Sequence, residues 1–170
     1  MTEANASGGQ GSGTYHALNP LQSEQPLPQD LIDAIEKHRR AVNGLINGNI
    51  DLFLDHCSQR GDVTVAGGWG GFEHGWDEAN RRFRWASSNF GGSGQNKCYF
   101  MNVAVIVSGD LASSLDIEHN EVMMKGATQI KKMGLRVTTV FRRENGEWKM
   151  THRHGDPFVE EQKLGAVIRE

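Results

Sequence analysis

Near the C-terminal end of the chain, His152, Arg153, His154, Gly155 and Asp156 follow one another. An imidazole titrates near pH 6.5, so it can take and return a proton at neutral pH, worth about 10²–10⁴ in rate when well placed. Residues two apart on a strand share a face, with side chains roughly 7 Å apart, so His152 and His154 can act on one small ligand. Asp156, just ahead of Pro157, suits either an orienting partner for an imidazole or a turn residue. These three are the candidate catalytic residues. Each histidine equally suits a core position with its ring nitrogens satisfied by backbone. A His-x-His pair supplies only two metal ligands, and Glu118, His119 and Asp156 lack the spacing of a familiar third, so no metal site is assigned.

Trp69 stands between two glycine pairs in the run 67–71, where glycine lets the backbone bend and an indole can lie across a pocket mouth. That run lacks the Lys-Ser/Thr of a phosphate loop and the spacing of a dinucleotide fingerprint, which argues against nucleotide binding. His74, Trp85, Tyr99, Glu118 and Met150 complete the candidate ligand contacts, Glu118 also as a partner for an imidazole and Met150 as apolar wall. Trp85 and Tyr99 suit the core better than a ligand contact. Arg81, Arg82 and Arg84 read as a solvated helix face. No cofactor is implied.

These side chains need a scaffold, and the chain has the size for one. At 170 residues it fits a single domain, and a net charge of −3 offers no field for nucleic acid or anionic membranes. Cys57 and Cys98 lie far apart without C-x-x-C spacing, the pattern of reduced thiols, so a cytoplasmic location is expected. No apolar run approaches the roughly 20 residues of a membrane helix. Residues 1–26 are rich in Gly, Ser, Asn and Gln, hold no Lys or Arg, and read as a disordered tail ahead of a domain at 27–160 and a short extension at 161–170.

Leu31, Ile32, Ile35, His38, Ala41, Val42, Leu45 and Ile46 recur at three- and four-residue spacing, predicting an amphipathic helix with Pro28 near its first turn and Gly48 at its end. A short helix from Asn49, an extended piece at 62–66 and a third helix at 76–90 follow. From Asn96 the period changes to 2, predicting strands at 97–108, 112–124, 128–143 and 147–154. Asn145-Gly146 predicts a two-residue type I′ turn, which pairs Glu144 with Glu147, Phe141 with Met150, Thr139 with His152 and Val137 with His154. On that register His152 and His154 share the core face with Phe141, Trp148 and Met150, while Arg136, Thr151 and Arg153 face outward. The fold class is α+β, three helices wrapped as a cone on a curved antiparallel sheet.

The stretch 135–156, from Leu-Arg-Val-Thr-Thr-Val-Phe through Asn-Gly to His-Arg-His-Gly-Asp, resembles the C-terminal hairpin of SnoaL-like (ketosteroid isomerase-like) proteins in the nuclear-transport-factor-2-like superfamily. Ser108-Gly109-Asp110-Leu111-Ala112 and the 67–71 run extend the resemblance over roughly residues 28–158. It implies the cone fold, a pocket for a small apolar ligand, and a homodimer formed through the outer sheet faces. The superfamily includes isomerases, cyclases and dehydratases as well as assembly domains, so fold alone does not decide function. Neither a Tyr/Asp oxyanion pair nor an Asp-Arg-Asp set maps onto definite positions. The resemblance implies a cofactor-free isomerase, cyclase or dehydratase acting on an apolar carbonyl compound by general acid/base catalysis, or a non-catalytic ligand-binding or oligomerisation module.

Overall fold

A computed structural model describes residues 15–92 and 94–161. Helix α1 (Gln29–Ile46) begins directly after Pro28 and buries Leu31, Ile35, His38, Val42 and Leu45 on one side. Past its end Gly48 takes φ +83°, a left-handed conformation that costs glycine nothing and a side-chain-bearing residue about 1–2 kcal/mol. Helix α2 (Asp51–His56) turns Phe53 and Leu54 inward, and α3 (Trp76–Ser88) turns Ala79 and Phe83 inward. All three lie on the concave side of one sheet.

The sheet carries the four predicted long strands, β4 (Lys97–Ser108), β5 (Leu111–Met123), β6 (Ile130–Glu144) and β7 (Glu147–Pro157), as an antiparallel meander. Three short strands extend it. β1 (His16–Ala17) pairs parallel with β4, β2 (Thr64–Ala66) pairs parallel with β7, and β3 (Glu73–His74) closes the far edge against β2. The sheet is therefore mixed rather than wholly antiparallel. Residues 15–26, expected to be disordered, run along β4 instead. The Asn19 side chain takes both outward groups of the Asn102 backbone at 2.7 and 2.8 Å, and Gln22 accepts from the Val105 N–H at 2.7 Å. Polar composition hid this, because only Tyr15 and Leu21 pack on the core and the rest of the contact is hydrogen bonding to a strand edge. Residues 1–14 and 162–170, the rest of the tail and nearly all of the extension, lie outside the described residues.

Asn145 and Gly146 have φ +52° and +84°, as a type I′ turn requires, and the pairs Glu144/Glu147 and Phe141/Met150 are those expected. Beyond them the expected register fails. Val140, not Thr139, faces His152, and Thr138, not Val137, faces His154, because Thr151 is an extra residue in β7. Such a bulge exchanges the two faces of everything after it. Arg153 and Gly155 consequently point into the cone, while His152, His154 and Asp156 stand on its outer face beside Arg136.

Candidate functional site

On β5 the residues facing the helices are Ala112, Ser114, Asp116, Glu118, Asn120 and Val122, so one strand carries two carboxylates into the interior. Each meets an arginine. Arg39 of α1 donates to Asp116 at 2.7 Å, and Asn102 and Ser114 supply further donors to the same carboxylate. Arg153 Nη2 donates to both Glu118 oxygens, at 2.9 and 2.8 Å, with the two side chains 14% and 3% exposed. Burial opposes the Arg153 charge, but the Glu118 carboxylate and its hydrogen bonds more than offset that and hold the pKa above the usual value for arginine.

The second pair forms the polar floor of a cavity of about 90 Å³. Val42, Leu45, Phe53, Phe83, Phe90 and Leu135 make apolar walls, Asn120 lies beside Glu118, and the loop bearing Trp69 closes the top next to Arg82. Glu118 is the one carboxylate among the described lining residues.

Behind Arg153 lie two buried imidazoles. Arg153 Nη1 is 3.3 Å from His38 Nε2, and a guanidinium can only donate, so Nε2 accepts and the His38 proton sits on Nδ1. Burial first, then the charges of Arg153, His56 and Arg39, hold the His38 pKa well below 6.5. The His56 ring is 5.5 Å from that of His38, and burial, assisted by Lys37 and Lys149, lowers its pKa to about 3. His38 Nδ1 and His56 Nε2 have no hydrogen-bond partner.

The structure brings Glu118 and Trp69 together at the cavity and disperses the other residues expected there. His152, half-buried, pairs Nδ1 with Thr64 Oγ1 at 2.8 Å, and its pKa is lowered by burial and by His154. His154 is exposed, its ring 6.5 Å from that of His152. Asp156 is neither a turn residue nor an imidazole partner: β7 continues through it, and it forms an ion pair with Arg136. Tyr99 stacks on His16 at 4.7 Å on the outer face, His74 is exposed on β3, and Met150 is fully buried between Phe141 and Cys57. Trp85 lies outside the lining but touches it, its ring 5.7 Å from that of Trp69. Cys57 and Cys98 are free and buried. Among the described residues no helix is long and apolar enough to cross a membrane.

The family model of the SnoaL-like domain matches residues 39–159. The chain belongs to the SnoaL-like family. Solved structures agree on the fold. A nuclear-transport-factor-2-like superfamily protein from Salmonella enterica serovar Typhimurium is 15% identical, with a TM-score of 0.67 over 82% of this chain and 96% of that one. A candidate dehydratase of that superfamily from Streptomyces avermitilis is 18% identical, with a TM-score of 0.65 over 78% and 99%. A candidate aromatic ring hydroxylase from Novosphingobium aromaticivorans is 21% identical, with a TM-score of 0.63 over 79% and 93%. No curated protein matches the chain.

For this SnoaL-like protein, sequence reasoning missed Arg153, His38, Asn120 and Arg82. One signal was available for Arg153. Asp116 and Glu118 share the phase of Ala112 and Val122 on β5, and two carboxylates on a buried face require two cations opposite them.

Arg153→Met leaves Glu118 buried without a partner and should lower stability by about 3–5 kcal/mol, most of it recovered in Arg153→Met/Glu118→Leu. Urea unfolding decides this, and a double variant no better than the single would refute the pair as the cause. Because His38 and His56 are held neutral in the fold but titrate near pH 6.5 when unfolded, the unfolded chain binds more protons below that pH. Their contribution is complete above about pH 6.5 and is lost on acidification, for His56 down to about pH 3. In unfolding curves between pH 7.5 and 4, His56→Gln should flatten the dependence by up to about 1.4 kcal/mol per pH unit, whereas an unchanged slope would contradict the assignment.

Proposed function

We propose that this protein binds a small, mostly apolar, uncharged organic molecule in the cone, with a carbonyl oxygen against Arg153, and acts on it as a cofactor-free isomerase, cyclase or dehydratase. The observation that carries this reading is the Arg153–Glu118 pair on the floor of an otherwise apolar cavity. The pair is electrically neutral, and so is Arg82 with Glu73 above it, which favours an uncharged ligand over an anion. Arg153 has donor capacity beyond its bonds to Glu118, and a guanidinium N–H directed at a carbonyl stabilises the oxyanion of an enol. Acid/base work then falls to Glu118 rather than to His152, His154 or Asp156, which face the other side of the sheet. Proton abstraction by Glu118 from the carbon next to that carbonyl yields a protonated Glu118 and an enolate paired with Arg153. Returning the proton elsewhere isomerises the compound, and passing it to a β-hydroxyl, which leaves as water as the enolate collapses to an alkene, dehydrates it and restores the Glu118 carboxylate. The candidate dehydratase among the similar structures supports this reading at the level of fold.

The outer sheet face is read as the seat of a second copy, because Met101 and Ile106 stand exposed on it at 37% and 67%. Sedimentation at micromolar concentration should give the mass of a dimer, and a monomer would exclude this arrangement.

Titration with acetophenone, cyclohexanone and 2-tetralone, followed by backbone amide shifts, should move Gly155, Leu135 and Gly68 and leave the β6–β7 turn unmoved. If none of the three perturbs the cavity, the small-molecule reading is wrong. Arg153→Lys, which keeps the charge but loses the fork, should weaken binding about tenfold.

A further inference from the structure

The cavity is too small for the ligand that its lining suits. About 90 Å³ is available, whereas an apolar cavity of about 150 Å³ is what accepts a benzene ring. The cavity is partly open, so a ring would be enclosed fully only if its boundary moved, and the boundaries are not alike. The walls are α1, α2, α3 and the sheet, while the top is the segment 67–72, an irregular stretch whose Trp69 and Phe72 are exposed.

Trp69 is 49% exposed and rests its ring edgewise on Trp85 at 5.7 Å and near Phe90 at 6.0 Å. Gly70 and Gly71 take φ +82° and +75° with open space where a Cβ would lie. Neighbouring Phe72 is 81% exposed. Besides the packing of Gly68 on Leu135 and of Trp69 on Trp85 and Phe90, one polar side chain ties this segment down. Arg82 Nη2 donates to the Gly70 carbonyl at 2.6 Å, Nε lies 3.6 Å from Glu73 Oε1, and the guanidinium covers the Trp85 ring at 4.7 Å. The backbone at Gly67 approaches so closely that a Cβ there would meet Arg82 at 3.2 Å.

Glu73 completes the device, because its Oε2 is buried and has no partner. The vacant Glu73 oxygen leaves a second arrangement open to Arg82, besides the observed one of a hydrogen bond to Gly70 and an ion pair with Glu73. In the first it bridges Gly70 and one Glu73 oxygen. In the second it would release Gly70 and take both Glu73 oxygens as a fork, which would loosen the segment and satisfy the vacant oxygen. An element with two discrete, similarly bonded arrangements is what a gate requires.

We propose that residues 67–72 are a lid over the cavity, with Trp69 as its leaf and Arg82 as its latch, and that it opens to admit a planar, uncharged single-ring carbonyl compound. The ligand class rests on the reading of the cavity given above; the lid itself does not. An entering ring displaces the edge of Trp69, so the leaf closes back on the ligand face instead of on Trp85 and Phe90.

The test uses the full chain labelled with 5-fluorotryptophan, whose four tryptophans give four ¹⁹F lines, that of Trp69 identified by Trp69→Phe. Acetophenone is the probe. Arg82→Met keeps the stem and removes the latch. It should shift the Trp69 line toward its solvent-exposed position, leave that of buried Trp148 in place, and speed acetophenone exchange by about tenfold, the worth of one charge-assisted hydrogen bond. Trp69→Ala removes the leaf without touching Arg82 and should speed exchange to a similar extent, which keeps the proposal open to refutation if Arg82→Met disturbs Trp148. If acetophenone moves no line in any protein but Arg82→Met still moves that of Trp69, the lid stands and the ligand class falls. An unmoved Trp69 line together with unchanged exchange in both variants overturns the lid and leaves the cavity reading intact.

Discussion

Glu118 sits 3% exposed among aliphatic and aromatic side chains, and a carboxylate in such a place has to be matched by a cation or discharged by a proton. Arg153 is that cation, and much of the hairpin's geometry follows from bringing it there. The Asn145-Gly146 turn imposes one register on β6 and β7, in which Arg153 would point to solvent. The carboxylate on β5 demands the other phase. The two requirements differ by a single residue, and Thr151 absorbs the difference as a bulge. A buried ion pair contributes little net stability compared with apolar packing, so its value here is as a register mark: only one pairing of β7 leaves no charge unmatched.

Much of the architecture was legible because it rests on local signals. The three- and four-residue spacing of α1, the change to period 2 at Asn96 and the Asn-Gly turn each act over a few residues, and those elements stand within a few residues of their expected bounds. The misreadings share a different cause. Trp148, Met150, His152 and His154 alternate without interruption, and nothing local marks Thr151 as supernumerary; the evidence lies across the sheet on β5. The strap at 15–26 was lost for a related reason, since Asn19 and Gln22 gain their place only from Asn102 and Val105, more than eighty residues away. Of the candidate site, Glu118 and Trp69 were legible as residue types in suggestive places. Arg153 and His38 were legible only as sequence, one as a solvated strand position and the other as part of a helical stripe.

The cavity inherits this division of labour. Its walls come from the apolar periodicity of the helices, which sets shape and dryness but offers no specificity. Its floor comes from the register conflict, which delivers one cation and one carboxylate at hydrogen-bond distance. Its roof comes from a glycine-rich segment that packs through Trp69 and Gly68 and is tied by Arg82. Rigidity therefore decreases from floor to roof, the order expected of a site that must hold fixed polar groups yet exchange its contents.

The strap has a consequence outside the cavity. β4 is the outermost long strand, and its outward amides and carbonyls would form a bare template for any other extended chain. Leu18, Asn19 and Gln22 occupy those groups at Phe100, Asn102 and Val105. Half of that cover is made by side-chain amides, so the new edge is limited to the two residues of β1. Residues 16–22 thus cover the outer edge of β4, and without them the groups at Phe100, Asn102 and Val105 would stand open to another extended chain.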